Sequence, residues 1–225
     1  MTPMKVLCVA DHIDPLVYST QVKKRFGEVE LVLGAGDLPL EYYSFIVSSL
    51  NVPLLFVYGN HNLGQLDFYQ RKLPDQMRNM EDPLKERNAV GATFLEDRHH
   101  RHGKLLVAGL GGSMRYNEGE HQFTEFQMML RILKLAPRLW WNRLVYGRYL
   151  DILLTHAPPR GIHDKADKPH WGFKAFLTFM KWFHPKYLIH GHIHLYELNE
   201  VRRTTYLKTE VVNCYDHLVL DVADV

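Results

Sequence analysis

Residues 187–194 read Tyr187-Leu188-Ile189-His190-Gly191-His192-Ile193-His194, an apolar run that stops at a glycine and then offers two imidazoles two residues apart. The run suits a strand buried on both faces. A turn eased by Gly191 can aim both rings at one point. Neutral imidazole is the commonest protein ligand for a transition metal. A lone His-x-His is often a surface coincidence, so the weight comes from upstream. Asp11, Asp37, Asn60-His61 and His156 each also follow a short apolar run. Five strand ends offering oxygen or nitrogen ligands read as one metal site.

Working outward, residues 5–10, 30–33, 53–58, 92–95, 104–109 and 150–155 read as strands. Helices are expected from Asp14, as N-cap, to about Arg25 and over 41–50 and 171–183. The 121–149 stretch reads as helical and broken at Pro137: either a packed pair with solvated arginines or a cap aiming arginine at a phosphate. The alternation predicts a largely parallel sheet covered by helices, with ligands at the carboxyl ends of its strands. Residues 204–208, 210–213 and 218–222 read as antiparallel strands closing a second sheet. One domain over 1–225 is the natural division, with 121–149 as a helical insertion or cap.

With 46% apolar and 23% charged residues, the chain has ample material for a core and is not of disordered composition. A formal net charge of +2 supplies no global field for nucleic acid, which disfavours that partner. Cys8 and Cys214 lie within strand patterns without Cys-x-x-Cys spacing, so buried reduced thiols and a cytoplasmic location are expected. The N-terminus lacks a signal-peptide pattern and no apolar run is long enough to span a bilayer, so no membrane partner is expected.

The order Asp11, Gly36-Asp37, Gly59-Asn60-His61, His156 and Gly191-His192-Ile193-His194 resembles the calcineurin-like metallophosphoesterase superfamily, across residues 11–194. The resemblance implies an α/β fold of two mixed β-sheets packed face to face with helices outside. It implies two divalent metals (Mn, Fe, Zn or Ni), with Asp37 as bridging carboxylate. Asp11 and His194 would hold the first metal; Asn60, His156 and His192 would hold the second. His61 would be the catalytic acid or charge stabiliser beside a small phosphoester substrate. The implied reaction is hydrolysis of a phosphomonoester or phosphodiester by metal-bound hydroxide. Such pairs of metals, roughly 3.5–4 Å apart, polarise phosphoryl oxygens and activate water. A protein-interaction scaffold on the same fold is the rival reading.

The family's first motif is Asp-x-His, and here Ile13 stands in the histidine's place. His12, Asp14 or water would have to fill the gap, which leaves the first metal site weakened. Asn62 replaces the acid that many relatives carry after Gly-Asn-His. Arg160, just beyond His156, is a candidate phosphate clamp, and His163 a weaker substrate contact. Gly111-Gly112-Ser113 reads as a tight turn in preference to an anion cradle. Residues 98–102 (Arg-His-His-Arg-His) read as a solvated hairpin tip, and Arg202-Arg203 is too short to argue nucleic acid.

Overall fold

The computed structural model describes residues 3–61, 91–197 and 199–223. Strand β1 (Met4–Ala10) is flanked by β2 (Leu31–Gly34), parallel, and by β13 (Asp216–Val222), antiparallel. Strands β3 (Leu54–Phe56) and β4 (Ala92–Phe94) extend this sheet in parallel, giving the order β13-β1-β2-β3-β4. The second sheet has the order β11-β12-β10-β9-β6-β5. In it β6 (Leu105–Leu110), β9 (Ile152–Thr155), β10 (Tyr187–His190) and β12 (Thr209–Asn213) are mutually parallel. Antiparallel β5 (Arg98–His102) and β11 (Arg203–Tyr206) form its edges. A small parallel pair joins β7 (Ser113–Met114) to β8 (Gln122–Phe123).

Alternation along the strands explains the four layers. Val6, Cys8 and Ala10 of β1 meet Val107, Leu154, Ile189 and Val212 of the opposite sheet in one buried cluster. The intervening Leu7 and Val9 face Tyr42, Tyr43 and Ile46 of helix α2 (Leu40–Leu50). On the far side, Leu106, Ala108, Leu153 and Leu188 pack against α3 (Glu125–Tyr146) and α4 (Lys174–Phe183). Period-2 strands that are apolar on both faces need this double cover. The expected arrangement of two mixed sheets with outer helices is therefore present.

Four local expectations are corrected. The helix after β1 is only the short α1 (Val22–Phe26). Asp14 does cap, accepting from Leu16 N–H at 2.7 Å, but it caps a turn. Pro137 lies inside α3 without ending it. It sits on the solvent side, where water can satisfy the carbonyl one turn back. Residues 98–102 are the edge strand β5, and the hairpin turn follows it. At the C-terminus β12 runs parallel to β10, and β13 returns to the first sheet.

Candidate metal centre

Asp11, Asp37, Asn60, His156 and His192 all follow the carboxyl ends of parallel strands, from both sheets, and meet at one edge of the sandwich. Three of the turns that deliver them carry backbone strain. Asp11 (φ 65°), Asp37 (φ 55°) and His192 (φ 67°) occupy the left-handed region that non-glycine residues avoid. Clustering of such residues is typical of functional sites. Two glycines are there for closeness: a Cβ on Gly59 would lie 2.0 Å from Asp37 Oδ1, and one on Gly191 would lie 2.5 Å from Asp11 Oδ2.

At the centre, ligand-capable atoms of Asp37, His156 and His192 all lie within 4.8 Å of one another. Nδ1 of the fully buried His156 lies 2.8 Å from the Ala35 carbonyl. A carbonyl only accepts, so Nδ1 carries the hydrogen and Nε2 faces the cluster. His192 is fixed the other way round: Nε2 donates to the Pro169 carbonyl at 2.8 Å, and Nδ1 faces inward. His156 Nε2 then lies 3.1 Å from His192 Nδ1, 3.1 Å from Asn60 Oδ1 and 3.3 Å from Asp37 Oδ2. Four electron-pair donors thus converge with their other atoms already orienting them, as around a bound cation.

Electrostatics agree. Burial penalises charge on Asp37, yet His156 and then the His61 N–H, 3.0 Å from Oδ1, hold its carboxyl well below the usual range. Burial also opposes charge on His156, but Asp37 and then Asp11 push its pKa up to about 9. His192 is pushed down to about 3, by burial first and then by His156. The same charges that favour a proton on His156 favour a cation among these donors. A mixed N and O set with a carboxylate suits a divalent first-row metal in the same place.

A family model described as calcineurin-like phosphoesterase matches residues 4–196. The chain belongs to that family. Among curated proteins, none matches its sequence. Its fold is similar to that of TT1561 of Thermus thermophilus, with a TM-score of 0.63 at 14% identity, over 98% of this chain and 95% of that one. It is also similar to GAP50, the anchor in the inner membrane complex of Plasmodium, with a TM-score of 0.51 at 10% identity, over 96% and 72%. At these identities the likeness speaks for the fold alone.

Other residues of this calcineurin-like phosphoesterase chain are placed less uniformly. The Asp11 carboxylate accepts the His192 backbone N–H, at 3.0 and 2.9 Å, and burial pushes its pKa up to about 7. His194 is only half-buried; its Nδ1 lies 2.9 Å from the Tyr196 hydroxyl and its ring stacks on Tyr215 at 4.9 Å. His61 is exposed beside Asp37. The gap left by Ile13 is not closed by its neighbours. Ile13 is itself 38% exposed, His12 pairs with Asp216 at 2.8 Å, and Asp14 pairs with His217. Asn62 lies outside the described residues.

Arg160 stacks over Trp171 at 4.2 Å and lies 3.6 Å from Asp164. His163 joins His190 and Thr204, each at 2.9 Å. Gly111-Gly112-Ser113 is no anion cradle: its N–H groups donate to Glu96, the Tyr58 carbonyl and the His121 carbonyl. Arg131 of α3, one of the arginines considered for phosphate, is buried and paired with Glu96 and Asp97. Sequence reasoning missed Tyr116, whose hydroxyl lies 3.3 Å from Asn60 Nδ2, and the orienting carbonyls of Ala35 and Pro169. Carbonyls carry no sequence signal, and Tyr116 lies in a loop without a motif.

Proposed function

We propose that this protein is a metal-dependent phosphoesterase that hydrolyses a phosphomonoester or phosphodiester. The observation that carries the reading is the convergence of Asp37, Asn60, His156 and His192 donors on one buried point, inside a family of phosphoesterases. These four residues would hold one divalent ion. Asp11 and His194, with Asp37 shared, would hold a second and weaker one. The chemistry a divalent metal supplies when bound is Lewis acidity at a phosphoryl oxygen and activation of water near neutral pH.

The chain's own residues do the rest. Asn60 contributes a neutral oxygen, which limits negative charge where an anionic substrate must dock. Its amide nitrogen is steered by Tyr116. His61, exposed at the rim with its backbone tied to Asp37, can donate to a phosphoryl oxygen or protonate the leaving oxygen. A cavity of about 340 Å³, whose lining includes Arg115, Tyr116, Asn117, Glu125 and Lys168, shares Tyr116 with the centre and is where the leaving group would sit. Two cations against the one carboxylate of Glu125, itself engaged with the Lys174 and Ala175 N–H groups, fit a small anionic substrate. Buried thiols at Cys8 and Cys214 fit a reducing compartment such as the cytoplasm.

The test is turnover of p-nitrophenyl phosphate and bis(p-nitrophenyl) phosphate by metal-stripped protein reloaded with Mn²⁺, Fe²⁺, Zn²⁺ or Ni²⁺. Activity that requires metal and falls in His61→Ala is expected. Wild-type turnover no greater than that of His61→Ala with every metal would overturn it. A second reading, a non-catalytic scaffold, is favoured by Ile13 together with the diverted His12 and Asp14. It predicts less than one tightly bound metal per chain.

A further inference from the structure

Helix α3 is apolar on two opposite sides. Its inner face (Met128, Ile132, Leu135, Leu139) is buried against the second sheet. Half a turn away, Phe126, Leu130, Leu133, Trp140, Trp141 and Leu144 form a second stripe at helical spacing, and they are 43–79% exposed. Ring contacts link Trp140 through half-buried Tyr149 and buried Phe183 to Trp182 of α4, itself 48% exposed. Three of the chain's four tryptophans are therefore on this surface. Isolated exposed apolar residues are ordinary, but a contiguous patch of this kind marks an interaction site.

Charge selects the occupant. Lys134 and Arg138 flank the stripe on one side and Arg143 on the other, and all three are exposed. Lys181 adds a fourth exposed cation beside Trp182. The only acid in α3 is Glu125, whose carboxylate is engaged with the Lys174 and Ala175 N–H groups at the start of α4. An apolar, tryptophan-rich stripe with cationic borders is the pattern of a helix lying in the headgroup plane of an anionic bilayer. A second copy fits worse. Two-fold pairing of α3 would set Lys134 and Arg138, beside the helix midpoint, against themselves.

We infer that α3 is an interfacial helix that seats the protein on anionic lipid, through the Phe126–Leu144 stripe and its basic borders. No helix among the described residues is long and apolar enough to cross a membrane. Lying on a bilayer needs no such span, and on this point the inference departs from the expectation of no membrane partner.

The protein would be sedimented with phosphatidylcholine vesicles and with vesicles containing phosphatidylglycerol, while tryptophan emission is recorded. Co-sedimentation with the anionic vesicles, a shift to shorter wavelength and release by high salt are expected. Trp141→Glu with Leu144→Glu should weaken partition at least about tenfold, with an unchanged melting temperature. Lys134→Glu with Arg138→Glu should do the same, since each basic group near the surface contributes about fivefold. Three results would overturn the inference: no partition at millimolar lipid, partition that neither double variant alters, or a dimer that Trp141→Glu with Leu144→Glu dissociates while vesicles stay unbound.

Discussion

The two halves of the candidate metal centre draw on similar residues and are finished differently. Around His156 and His192 every accessory atom is committed elsewhere: one ring is held by the Ala35 carbonyl, the other by the Pro169 carbonyl, and Asn60 by Tyr116. Their remaining lone pairs have no direction left but inward. Around Asp11 and His194 the commitments run the other way. Asp11 faces the His192 backbone, His194 faces Tyr196, and the motif's missing histidine is an isoleucine at the surface. Ligand identity makes a metal site possible; the partners of the ligands' other atoms decide whether it is preorganised.

Removing a donor from the complete half should have the largest effect. His156→Ala or Asp37→Asn is expected to abolish tight metal binding and to lower phosphoesterase turnover by about a thousandfold or more, measured by metal analysis and initial rates. Gly59→Ala tests the same half without touching a donor. Its methyl would enter the space of Asp37 Oδ1. Metal affinity should fall at least about tenfold, and stability by about 1–3 kcal/mol, read by calorimetry.

His61→Ala should separate chemistry from metal binding: turnover falls about a hundredfold or more, while metal content stays at the wild-type level. The weak half should respond least. His194→Ala is expected to cost only about tenfold in activity and to leave the first equivalent of metal in place. A loss equal to that of His156→Ala would erase the difference between the halves.

The interior offers a control that does not involve the site. Burial pushes the Cys8 thiol up to about 12 from 9.0, and Cys214 well above its ordinary value. A thiol whose folded pKa is raised stays protonated while the unfolded chain ionises. Stability from this source is full below pH 9 and declines as pH rises from about 9 to 12. Native protein should resist a thiol reagent at pH 8 and show two reactive thiols per chain in denaturant.

Much of this was legible in the residues. Short continuous apolar runs marked the strands, and the polar groups at their ends marked Asp37, Asn60, His156 and His192, which the fold does bring together, because a parallel sheet has one chemically useful edge. Where tertiary packing overrides local pattern, the reading failed. Nothing in residues 218–222 says that β13 crosses to pair with β1. Pro137 reads as a break until one knows that it faces water. Arg131 reads as a solvated or phosphate-seeking cation until Glu96 and Asp97 are placed beside it. The two carbonyls that orient the imidazoles belong to residues whose side chains are irrelevant to the role.

The central claim is that the His156–His192 half alone holds a metal tightly. Metal titration of stripped protein by calorimetry, in wild type and in Asp11→Asn with His194→Ala, tests it most directly. One tight equivalent should persist in the double variant, with any second, weaker equivalent lost. Loss of the tight equivalent in that variant, or its retention in His156→Ala, would contradict the account.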